Sequence, residues 1–96
     1  MIIVSRGKKT IASRILKDLE DESDEEGTFL VFYDFNTRAT TVFYKNLEEI
    51  RRTLGDGERL QKSVIQCRKL RTARAIEKLA EHYKADVLLF RAEALE

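Results

Sequence analysis

Proline is missing from this chain, and cysteine, histidine and methionine occur once each. The single Cys67 excludes an internal disulfide framework and any zinc site built from several thiolates. A free thiol fits a reducing cytoplasm, and Cys67 has the setting of a small hydrophobe in a buried strand. A reactive thiol is the alternative. His82 has no second histidine or cysteine with which to share a metal, and no one serine stands out beside it for a hydrolytic triad. Near the end of a helix it would instead favour the helix dipole. No P-loop or dinucleotide-type glycine pattern occurs. No apolar run approaches the roughly 20 residues that cross a bilayer. The opening "MIIVSRGKK" lacks the order of a signal peptide, because its apolar stretch is short and precedes the positive charges. A cytoplasmic protein with no membrane partner is the expectation.

What is present suits a small folded domain. Ninety-six residues make one domain with a modest core, a size often helped by oligomerisation. Apolar residues form 43% of the chain, enough for a globule. Charged residues form 36%, above the usual quarter or so, yet they nearly cancel to +1. Abundant Glu, Arg and Lys without proline lean toward a heat-adapted protein, a thermophile's composition.

Along the chain, "MIIV" has strand character, and "TIASRILKDL" places Ile11, Ile15 and Leu19 on one helical stripe with Thr10 as a cap. Seven acids in the nine residues from Asp18 to Glu26 follow, closed by Gly27. "TFLVFYD", residues 28–34, is apolar without alternation and predicts a central strand covered on both faces. Residues 39–54 fit either a hairpin arm or a helix. Phe43, Leu47, Ile50 and Leu54 share one helical face and Gly55 is a natural stop, which favours the helix. "DG" at 56–57 is a turn. "ERLQKSVIQC" is a strand, with a bulge or a break into two at Lys62–Ser63. "LRTARAIEKLAEHYKA" is the clearest helix, and "DVLLFRA" a final buried strand. With the middle strand split, the order is βαββαβ. That is the α+β ferredoxin-like plan, an antiparallel sheet with two helices on one face. Residues 1–27 would be a strand-helix appendage and 28–96 the ferredoxin-like domain.

Two features carry possible chemistry. Asp34 ends an apolar and aromatic strand. A carboxylate there binds Mg²⁺ with one or two ligands and retained waters, or it caps the following helix. From Arg59 to Lys78 the bases are Arg59, Lys62, Arg68, Lys69, Arg71, Arg74 and Lys78, and the only acid is Glu77, a net of +6. Such a region meets phosphates of DNA or RNA by charge and shape, without a base-reading motif. The alternative is a solvated helix face. The acidic block either folds over this region and competes with nucleic acid, or is a solvated linker.

The segments "FLVFYDFN" and "GERLQKSVIQCRKL", each followed by a helix, and then "DVLLFRAEAL" resemble the CRISPR-associated adaptation protein family Cas two over about residues 28–95. Gly57 to Cys67 is the most specific part, and Tyr33-Asp34 stands at the family's strand end. The resemblance implies a ferredoxin-like homodimer in antiviral defence. It implies Asp34 as the metal-binding, catalytic position of a proposed divalent-metal nuclease, and it implies the CRISPR integrase as a partner. Arg38 stands where the family places arginines after the aspartate. Arg59, Lys62 and Arg68 are the phosphate contacts the resemblance supports. The virulence-associated toxin family (VapD), whose members are ribonucleases, is similar at the same strand and helix.

Overall fold

The computed structural model describes residues 9–95. The strand expected at 1–4 lies outside the described residues. Thr10 accepts the Ser13 amide and Ser13 bonds back to the Thr10 amide, a reciprocal cap that starts helix α1, Ile11–Asp18. Strand β1, Glu26–Asp34, follows the acidic segment. Thr40 caps helix α2, Thr41–Leu54, and Gly55 ends it in the left-handed conformation that glycine tolerates (φ 62°). The helical assignment of residues 41–54 stands over the hairpin, because Phe43, Leu47 and Ile50 all turn inward and are buried.

Strands β2, Glu58–Gln61, and β3, Val64–Lys69, form a hairpin around Lys62 and Ser63. The break expected at that pair is thus a tight turn, and the irregular register falls between Arg59 and Gln61. Helix α3, Leu70–His82, leads to strand β4, Asp86–Arg91. Among the described residues the fold is α+β: three helices and one four-stranded sheet, ordered β2-β3-β1-β4, with every pairing antiparallel. From β1 onward this arrangement is consistent with the ferredoxin-like plan. Among the described residues no helix is long and apolar enough to cross a membrane.

Helices α2 and α3 cover one face of the sheet. Phe29, Val31 and Tyr33 of β1 and Ile65 and Cys67 of β3 point into them. Phe43 of α2 packs on Tyr33, ring centroids 5.3 Å apart. Helix α1 lies on α2 and α3, not on a strand, and adds Ala12, Ile15 and Leu19 to the same core. Asn46 of α2 fixes its position, because the Ala12 amide donates to Asn46 Oδ1 at 2.8 Å.

Among the described residues the other face of the sheet carries no helix. Strand β1 is central, as expected, but it is covered on one face only. On the bare side Phe32 is 37% exposed, Phe90 49% and Leu88 61%. Strand β4, expected to be buried, is an edge strand whose outward side chains meet solvent. An apolar run predicts cover on both faces, and the helices among the described residues all lie on one side.

Candidate functional site

Strand alternation decides where Asp34 points. Tyr33 is buried toward the helices, so Asp34 is exposed on the bare face at the strand's end. The register places Asp86, first residue of β4, directly opposite it. Two carboxylates facing across an antiparallel pair repel each other. Sequence reasoning missed Asp86, because only the β1–β4 register brings it to Asp34. Its signal was the shared position of the two acids, at the end of one apolar strand and the start of another.

Asp34 lies between two grooves. The first, about 650 Å³, runs along the bare face between Phe32, Val64, Leu88, Ser63 and the two aspartates. The second, about 490 Å³, opens on the other side of Asp34 and is lined by Arg38, Thr37, Tyr44, Lys62 and Ser63 among others. Among the described residues neither Arg38 nor Lys62 has an ion-pair partner. The groove's wall is stiff. Tyr33 donates its hydroxyl to the Lys62 carbonyl at 3.0 Å, and Arg59 donates to the same carbonyl at 3.1 Å. Arg59 also lies over the Tyr44 ring, 5.3 Å from its centroid. Burial raises the Tyr33 hydroxyl above its usual range, so it stays a donor.

The remaining bases of residues 59–78 do not join this group. Lys62 and Arg68 sit at opposite ends of β3, about 20 Å apart at the usual rise per residue. Arg68 is exposed beside Asp56, and Lys69 leads into α3. Arg74 pairs with Glu77 at 3.0 Å. Arg71 donates to the carbonyls of Glu20 and Glu22. The continuous basic segment of the sequence is therefore two basic areas, one at each end of the sheet.

Asp56, assigned only to a turn by the sequence, organises the far end. It is 8% exposed and accepts the backbone amides of Arg68, Lys69 and Gly57. Burial pushes its carboxyl up, but these amides outweigh it and hold it below the ordinary carboxylate range. The Thr72 hydroxyl adds to this although it closes no regular hydrogen bond. Burial beside Asp56 pushes the Cys67 thiol up to about 12, so no thiolate is available near neutrality.

Asp34 and Asp86 are a pair and not a cage: among the described residues no three His, Cys, Asp or Glu side chains stand close enough to hold a metal. Two carboxylates suit a hard cation that retains most of its waters, and they suit zinc poorly. No family model, no curated protein and no solved structure matches the chain.

Proposed function

We propose that this protein is a homodimeric nucleic-acid-binding protein whose Asp34 end holds a phosphodiester backbone and cleaves it with Mg²⁺. One observation carries the reading. Asp34, faced by Asp86 across the β1–β4 pair, stands at the rim of a groove that also presents Arg38 and Lys62. A carboxylate pair beside unpaired bases is what a phosphate-bound divalent cation requires, with negative charge on one side and phosphate anchors on the other.

Each residue has a role. Asp34 and Asp86 hold the cation, which when bound would polarise the phosphate and lower the pKa of a coordinated water. Arg38 and Lys62 anchor flanking phosphate oxygens. Tyr33 and Arg59 keep the Lys62 turn in place. The bare apolar face is the dimer contact, and stacking two such faces brings both pairs of aspartates to one seam. The resemblance to the Cas two family supports this plan, with spacer DNA and the CRISPR integrase as the partners it suggests.

A non-catalytic scaffold is the second reading. The wide bare face favours it, since Leu88 and Phe90 serve assembly and not chemistry. A cleavage assay separates the two. Labelled DNA and RNA are incubated with wild type and Asp34→Asn, with and without Mg²⁺. Cleavage that needs both Mg²⁺ and Asp34 is expected. Equal background in every lane removes the enzyme and leaves the scaffold.

A further inference from the structure

The acidic block has a definite seat. Arg71, the second residue of α3, donates to the Glu20 carbonyl at 3.1 Å and the Glu22 carbonyl at 2.8 Å. The Leu70 amide donates to the Glu25 carbonyl at 2.8 Å. The Glu25 carboxylate accepts from Arg91 at 2.6 Å, and Glu26 pairs in register with Lys69. The hydrogen bond and charge of Arg91 lower the Glu25 carboxyl below its ordinary value. Residues 20–26 thus lie across the basic junction between β3 and α3.

The fit is incomplete. Carbonyl oxygens, and not carboxylates, take the Arg71 fork. Its Nε is buried without a hydrogen-bond partner, and Asp24 stands 3.9 Å away, near enough for charge and too far for a bond. A buried guanidinium donor calls for an acceptor. A phosphate group presents paired oxygens that satisfy Nε and a terminal nitrogen together. Lys69 gives the start of α3 no side-chain cap, and a helix N-terminus favours the same ligand.

We infer that the β3–α3 junction is a second polyanion-binding surface, covered in cis by residues 20–26. Lys69, Arg71 and Arg91 would meet the phosphates of a nucleic-acid backbone once the strap lifts. The strap is tethered on both sides, so it competes at an effective concentration of about millimolar order. The inference rests on the nucleic-acid reading for its ligand, though not for its chemistry.

The test neutralises the strap without removing its carbonyls. Asp21→Asn, Glu22→Gln, Asp24→Asn and Glu25→Gln are combined in the full chain. A control combines Glu48→Gln, Glu49→Gln, Glu58→Gln and Glu81→Gln, which add the same charge elsewhere. Heparin-column elution and binding to a labelled DNA duplex are read at about 50 mM salt, where screening is weak. The strap variant is expected to elute later and bind about tenfold tighter, with a much smaller change in the control. Adding Arg71→Gln to the strap variant should remove most of that gain. An equal gain in the control, no gain at all, or a gain indifferent to Arg71 would each overturn the inference. Later heparin elution without DNA binding by any form would keep the covered surface and reject the nucleic-acid reading.

Discussion

Asp34 and Asp56 stand at opposite ends of the same sheet and spend their charge differently. Asp56 is buried, and its oxygens are taken up by the backbone amides of Gly57, Arg68 and Lys69. Asp34 is exposed and faces a second carboxylate, and its own carboxylate has no ion-pair partner among the described residues. One carboxylate builds the fold. The other is left available. Exposure and idle bonding capacity, and not acidity as such, mark the candidate site.

The comparison is testable, beginning with the largest effect. Asp56→Ala strands three backbone donors and is expected to lower unfolding free energy by about 3 kcal/mol. Asp34→Ala should change it by less than about 0.5 kcal/mol, as surface changes do. Urea titration of both variants decides this, and similar losses would break the distinction.

Leu88→Glu puts a charge at the middle of the bare face. Light scattering should show wild type at twice the chain mass at micromolar concentration and the variant at the single mass. A monomeric wild type would remove the shared seam of aspartates.

Arg38→Gln with Lys62→Gln should weaken binding to all nucleic-acid sequences alike. The slope of log affinity against log salt should fall by about two units, one per lost phosphate contact. An unchanged slope would move the contact away from the Asp34 groove.

The smallest effect concerns pH. The Asp56 carboxyl sits below its ordinary value in the folded protein. The unfolded chain therefore takes up the proton first. The stabilisation is complete above the ordinary carboxylate pKa of about 4 and is lost as pH falls through the lower folded value. Thermal midpoints across acid pH should fall for wild type and less steeply for Asp56→Asn. Parallel curves would assign the acid sensitivity to other groups.

Much of the fold was legible because its signals are local. The spacing of Phe43, Leu47 and Ile50 dictates a helix whatever lies around it. Gly55 stops that helix by its own backbone freedom. The site was legible only in part. Asp34 stood out as an acid on an apolar strand, but Asp86 becomes its neighbour through a pairing between residues 52 positions apart. Asp56 was hidden for the same reason, since its partners arrive with a later strand. The run of bases at 59–78 misled by contiguity, because a strand carries successive charges to opposite ends of the molecule. The seat of the acidic block depends on Arg71 and Arg91, which no local rule connects to it.

Helix α1 has a consequence for the order of synthesis. Among the described residues it rests on α2 and α3, and its amide anchor is Asn46. A ribosome makes it before either of them, and its docking surface is complete only after Leu79 has emerged. Until then Ile11, Ile15 and Leu19 lack the part of their cover that α3 supplies, while the reciprocal Thr10–Ser13 cap supports the nascent turn. The seven negative charges that follow keep that waiting helix soluble and repel neighbouring nascent chains. A segment that later straps the folded protein would thus first serve as its escort during translation.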